Sequence, residues 1–248
     1  MSILAIIPAR MGSSRFPNKP MALINGVPMI EIVYQNTKKS LKVSDVIVAT
    51  CDEQILKHIN SIGGKAIITS KKHKRASDRC AEALLKYEKK YRKKISIVVM
   101  VQGDEPLVKG KMIDKAVILM MKNKKINIVN LMCKISSKKD FYDENCVKVL
   151  HNKSNEALIF SRSPIPFLKK FDKKFVKKQV CVIPFRRNFL LKYNKIKPTE
   201  LEKLESIDML RLLENNYKIN LLEISKETFP VDNKYDLNRV KLLLKKNK

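Results

Sequence analysis

Arg10, Arg15 and Lys19 crowd into the stretch IIPARMGSSRFPNKPM (6–21), around a Gly12-Ser13-Ser14 turn, and no acid occurs before Glu31. Cations this dense, directly after an apolar run, call for an anionic partner. In a Gly-Ser turn successive backbone N–H groups can point inward and cradle phosphate oxygens. Arginine adds a bidentate grip on the same oxygens. The stretch has neither the GxxxxGK[ST] pattern of a P-loop nor GxGxxG. On spacing alone the plain alternative, an ordinary basic turn after a strand, stays open.

These residues need a scaffold, and the hydrophobic pattern supplies one. Residues 3–9, 45–50, 65–69 and 95–102 are apolar runs of strand length. Between and after them, 28–40, 52–63, 77–91 and 111–122 carry helical patterns, with Pro28 at one N-terminus, Gly63-Gly64 closing another and Ser77 placed to cap a third. Near-continuous apolar strands alternating with helices indicate an α/β fold with a mostly parallel sheet covered on both faces. Ligands of such sheets sit at the carboxyl ends of the strands. That puts the 6–21 loop beside the QGDEP segment (102–106).

The second half reads as an embedded antiparallel β excursion: a strand over 126–135, a hairpin over 146–160 turning at 152–155, an exposed lysine-rich connection over 169–178 and a strand over 179–185. An amphipathic helix over 198–215, a strand over 218–224 and a helix from Lys234 follow. The expectation is a single domain of 248 residues. Within it 1–125 carries the anion loop, 126–230 the β excursion and 231–248 the closing helix.

Composition narrows the chemistry. The formal charge is +28, but lysine pairs are spread over the whole chain, without an RNP-like motif or any Trp, which fits a solvated surface better than a polyanion site. A basic α/β protein that binds nucleic acid without catalysis is the reading from another class. The five cysteines form no CxxC pair, and the histidines His58, His73 and His151 form no HExxH. Neither a disulfide framework nor a histidine metal site is expected. No apolar run is long enough to span a bilayer and no leader is recognisable at the N-terminus, so a cytoplasmic protein without a membrane partner is expected.

The 6–21 stretch resembles the opening IPAR-x-x-S-x-R-x-P-x-K-P signature of 3-deoxy-manno-octulosonate (Kdo) cytidylyltransferases, matched by Pro8, Arg10, Ser13, Arg15, Pro17, Lys19 and Pro20. The likeness continues through VIVATCDEQI (46–55), SDRCAEA (77–83), VQGDEPLV (101–108), FSRSPIPF (160–167) and VDNKYDLNRV (231–240), over almost the whole chain. It implies a three-layer Rossmann-like nucleotidyltransferase fold and a homodimer, with 126–230 mainly serving the co-substrate and dimerisation. The implied reaction transfers CMP from CTP to the anomeric hydroxyl of Kdo, with release of pyrophosphate, for lipopolysaccharide synthesis. Mg2+ would be held by Asp104 and Asp232. Lys19 would meet the leaving phosphates; Arg10, Ser13, Arg15, Ser77, Arg79 and Gln102 would bind the nucleotide; Arg162, Gln179, Glu205 and Asp208 would bind the sugar.

The chain departs from that pattern in places. The family's His-x-Ser-Gly-Thr-Asp-Arg segment is HKRASDR (73–79), which gains Arg75 and replaces Gly by Ala76. On the sugar side His becomes Gln179, two tyrosines become Ile183 and Phe185, Glu becomes Asp208 and Gln becomes Met209. A more apolar pocket admits a second expectation, CMP activation of a modified Kdo or another acidic sugar. Glu205 and Asp208, one turn apart on one expected helix, would both face the pocket.

Overall fold

The computed structural model describes residues 1–12 and 16–245. β1 (Ile3–Ala9) is buried at every position, and its side chains alternate between two cores as strand geometry demands. Ile3, Ala5, Ile7 and Ala9 enter one, Leu4 and Ile6 the other. After it come a 3-10 turn (Lys19–Met21), β2 (Leu23–Ile24), β3 (Val27–Pro28), α1 (Met29–Lys38), β4 (Asp45–Thr50), α2 (Glu53–Ser61), β5 (Ala66–Ile68), α3 (Ala76–Tyr91), β6 (Ile97–Val101) and α4 (Gly110–Lys122). The second half holds β7 (Val129–Lys134), α5 (Lys138–Tyr142), β8 (Lys148–His151), β9 (Ala157–Ser161), β10 (Lys177–Val180), β11 (Val182–Arg186), α6 (Arg187–Tyr193), α7 (Glu200–Glu205), α8 (Asp208–Glu214), β12 (Asn220–Glu223) and α9 (Lys234–Lys245).

The first sheet has the order β11-β6-β1-β4-β5. Its strands run parallel except β11, which pairs antiparallel with β6. α1, α2, α4 and α9 pack on one face, and α3, α6 and α8 on the other, giving three layers. The second sheet has the order β12-β7-β10-β8-β9. It is antiparallel apart from the β12–β7 pair, so the expected excursion is mixed. Among the described residues no helix is long and apolar enough to cross a membrane.

Three sequence expectations give way. The strand expected over 179–185 is two strands in two sheets, split at Cys181. The Cys181 N–H, lost to either ladder, donates to Glu105 Oε1 at 3.2 Å, and its carbonyl accepts from Gln102 N–H at 3.0 Å. Both bonds replace ladder partners that a buried backbone cannot forgo. The single helix over 198–215 breaks at Ser206, whose φ of 55° is left-handed. Nothing in the hydrophobic pattern signals that break, because an αL serine is uncommon. Ser77 lies inside α3, one residue past its start, and the cap position belongs to Arg75.

Candidate active site

The 3-10 turn follows Asn18, itself left-handed at φ 58°, and aims Lys19 across the carboxyl end of β1 toward β6. Lys19 Nζ lies 2.6 Å from Asp104 Oδ2 and 3.3 Å from Asp232 Oδ1. Burial pushes the Lys19 ammonium down; the charges of Asp104 and Asp232 and its bonds to both outweigh this, and its pKa rises above the ordinary lysine value. Gly103 lets the QGDEP loop approach so closely: a Cβ there would stand 3.0 Å from the Pro8 carbonyl oxygen and 3.3 Å from Ile30 Cδ1.

The cleft runs on from these charges. A cavity of about 500 Å³ is lined by Arg10, Gly12, Lys19, Gln102 and Asp104. A second, of about 180 Å³, is lined by Arg10, His73, Arg75, Arg79 and Gln102. The third, of about 400 Å³, takes in Asp104, Asp232, Arg162, Gln179, Ile183, Asp208 and Met209. Arg10 and Gln102 line all three, so these are chambers of one cleft. Ser13 and Arg15 lie outside the described residues.

In the small chamber Arg79 is 3% exposed. Its Nη1 donates to Thr69 Oγ1, while Nη2 is buried with no hydrogen-bond partner among the described residues. A buried guanidinium with an unused donor on a cavity wall is built to meet a ligand acceptor. His73 is held by Glu82. The additional cation Arg75 spans to the far wall, with Nε 3.3 Å from Glu202 Oε1 and Nη1 3.4 Å from Asp208 Oδ1.

At the Asp208 end of the cleft, Ser77 Oγ donates to Asp208 Oδ2 at 3.2 Å. Burial pushes the Asp208 carboxyl up, and Arg75 and Ser77 counter this only in part. Arg162 lines the cavity but spends Nε on the Glu205 carbonyl at 2.6 Å and Nη1 on the Glu144 carbonyl at 2.9 Å. Glu205 does not share a helix with Asp208. It ends α7, and its carboxylate accepts from Ser161 Oγ at 2.6 Å and Arg162 N–H at 2.8 Å, which fixes the loop after β9. Phe185 points into the core, stacked on Tyr193 at 6.2 Å, so its lost phenol is no loss to the cavity. Ile183 and Met209 do line the cavity.

Several lining residues escaped the sequence reading. Glu105, inside the QGDEP segment, is buried, and burial, with the Asp104 charge adding, pushes its carboxyl up to about 7. Arg239 of α9 grips Asp140 of α5 at 2.8 and 2.9 Å, and Lys178 pairs with Glu227 at 2.8 Å. Arg239 stands in the VDNKYDLNRV segment; Asp140 and Glu227 carry no local signal.

Two carboxylates converging on one ammonium make a hard, oxygen-only donor pair. Magnesium takes one or two protein carboxylates and completes its shell with phosphate oxygens and water, so Asp104 and Asp232 fit it. Among the described residues no group of three or more His, Cys, Asp or Glu is placed to hold a metal ion.

The profile of the cytidylyltransferase family matches residues 4–219. The 3-deoxy-manno-octulosonate cytidylyltransferase of Geobacter metallireducens is 41% identical over 251 residues, covering 97% of this chain and 96% of that protein. The enzyme of the same name from Fusobacterium nucleatum is 37% identical over 247 residues, 100% of this chain and 98% of its own. The solved structure of CMP:2-keto-3-deoxy-manno-octonic acid synthetase complexed with CTP superposes with a TM-score of 0.89 at 32% identity, over 100% of both chains.

Proposed function

This chain belongs to the cytidylyltransferase family, among the 3-deoxy-manno-octulosonate cytidylyltransferases, and from that premise we propose that it transfers CMP from CTP to Kdo with release of pyrophosphate. The observation that carries the reading is the continuous cleft. Its cationic end holds Arg10, Lys19, Asp104 and Asp232, and the same cavity wall continues into Arg162, Gln179 and Asp208.

Each residue has a part that its position supports. Arg10 and the turn at Gly12 receive the triphosphate, and Arg79 offers its unused Nη2 to the nucleotide. Asp104 and Asp232 hold Mg2+, which when bound neutralises phosphate charge. Lys19 follows the charge that builds on the departing pyrophosphate. Gln102, fastened to the Cys181 segment, orients the reacting groups. The sugar's anomeric hydroxyl attacks the α-phosphorus, the bond to the bridging oxygen of the pyrophosphate breaks, and the hydroxyl proton is released. In such a reaction positioning and charge stabilisation do most of the work.

The finer assignments belong to the same reading. A homodimer is supported by the exposed apolar side chains Leu158 on β9 and Leu201 and Leu204 on α7, which are 60%, 43% and 74% exposed. A cytoplasmic place in lipopolysaccharide synthesis accords with a CTP substrate and with cysteines that are all free. A second reading, a modified Kdo or another acidic sugar as acceptor, is favoured by Ile183 and Met209, apolar on the cavity wall.

Pyrophosphate release with CTP and Mg2+, adding Kdo, 8-amino-Kdo or a sialic-acid-type sugar separately, tests both. Release with Kdo is expected. Release with another sugar alone selects the second reading, and silence with every sugar, and with ATP, GTP and UTP in place of CTP, overturns the transfer itself.

A further inference from the structure

At the sugar end of the cleft two side-chain amides lock each other's orientation. Asn130 of β7 is fully buried. Its Nδ2 donates to the Leu131 carbonyl at 2.6 Å and to the Val180 carbonyl at 3.1 Å. An amide oxygen cannot face two carbonyl oxygens, so the nitrogen of Asn130 must lie on that side and Oδ1 on the other. Oδ1 then stands 2.7 Å from the Gln179 side chain, and only the Gln179 nitrogen can meet it. The remaining atom, Gln179 Oε1, belongs to a side chain that lines the cavity. Among the described residues Asn130 is the only side chain bonded to the Gln179 amide.

We propose that Gln179 presents its oxygen to the cleft as an acceptor for a hydroxyl of the acid sugar, and that Asn130 is the positioning residue that keeps it turned that way. The inference rests on the reading of the cleft as a CMP-transfer site. A glutamine free to rotate would also offer two N–H donors and accept a substrate oxygen of either kind. A glutamine fixed by Asn130 requires a hydrogen-bearing substrate group at that point, and it discriminates against a sugar deoxygenated or O-methylated there, because a desolvated acceptor is left unpaired. The fully buried member of the pair never touches substrate, yet it decides what the exposed member can recognise.

The test is a double-mutant cycle on the full chain with N130L, Q179L and N130L/Q179L, together with N130D. As a buried neutral acid, N130D keeps an acceptor for Gln179 Nε2 but loses one of the two donors. KM for the acid sugar and for CTP, kcat, melting temperature and exchange of the Gln179 side-chain amide protons are read for each. Loss of the acceptor is expected to raise sugar KM about five- to tenfold in Q179L, and loss of its fixed orientation about two- to fivefold in N130L. The double variant should be no worse than Q179L, and CTP KM should move less than about twofold. N130D should melt lower than the wild type yet keep its sugar KM while N130L does not, a contrast that a merely structural asparagine would not give. An unchanged sugar KM in N130L, or single effects that multiply in the double variant, overturns the proposal. If N130L does not fold, a sugar KM in N130D raised as far as in Q179L overturns it equally. Wild-type protein silent with every sugar would sink the transfer reading alone. The amide protons then decide the clamp: slow exchange in the wild type and N130D supports it, fast exchange in the wild type ends it.

Discussion

The Val231 N–H donates to the Asp104 carbonyl at 2.9 Å, and this single backbone bond ties the loop after β6 to the segment that leads into α9. Asp232, the next residue, is thereby delivered to the ammonium that Asp104 already holds. Lys19 occupies the position of a cation between two carboxylates, 2.6 and 3.3 Å away.

Replacing that ammonium should test the proposal that the pair holds Mg2+. In K19M the two carboxylates face each other with less positive charge between them, and like charges at close range destabilise. Its melting temperature should be lower than wild type in EDTA and should rise more on adding Mg2+. Turnover should fall about 10²- to 10³-fold, the usual loss for one group stabilising transition-state charge. Calorimetry with and without Mg2+ checks the first part, and an equal response of both proteins would remove Asp104 and Asp232 as a metal pair.

Arg79 should act on the nucleotide alone. R79M removes the unused Nη2 donor in the small chamber. A hydrogen bond to a charged group is worth about 1.5–3 kcal/mol, so CTP KM should rise about ten- to a hundredfold with sugar KM little changed. Steady-state kinetics with each substrate varied in turn gives the answer; equal changes in both KM values would argue against the assignment.

Glu82 should control stability in acid. Burial pushes its carboxyl up, but Lys86, the Ser70 N–H and His73 outweigh burial, and its pKa drops from 4.5 to about 2. A carboxyl depressed in the folded state contributes stability that is present above its unfolded pKa and lost as pH falls through the folded one. Wild-type melting temperature should therefore decline between about pH 5 and pH 2, and E82Q should start lower and decline less steeply. Parallel curves for the two proteins would contradict the shift. Because Glu82 also holds His73 on the wall of the small chamber, E82Q should raise CTP KM as well.

The break at Ser206 should be stabilised by a buried pair. Arg211 Nε and Nη2 each lie 2.6 Å from a Glu202 oxygen, and both side chains are buried. R211M leaves the Glu202 carboxylate with the Arg75 Nε at 3.3 Å and the Thr199 N–H at 3.4 Å but without its bidentate partner, which should cost about 3–5 kcal/mol. E202L/R211M removes the stranded charge and should recover a large part of that loss. Urea denaturation of the wild type and both variants measures it.

The sequence by itself determined the elements and the chemistry of the cationic rim. β1 and β4 match their apolar runs residue for residue, because burial on both faces writes itself as an uninterrupted apolar string. The dense cations around Gly12 and the QGDEP loop were legible because anion binding needs those residue types close together in the chain. What the tertiary structure alone decided lies between residues distant in sequence. The passage of the chain from one sheet to the other at Cys181 depends on Glu105 and Gln102 taking over its backbone bonds. The break between α7 and α8 depends on a left-handed serine and on where Glu202 meets Arg211. The burial of Phe185, the engagement of Arg162 by two carbonyls and the turning of Gln179 by Asn130 follow from packing. Periodicity is a local property, so it can be read along the chain. Which end of an amide faces a cleft is set by neighbours that only folding brings within 3 Å.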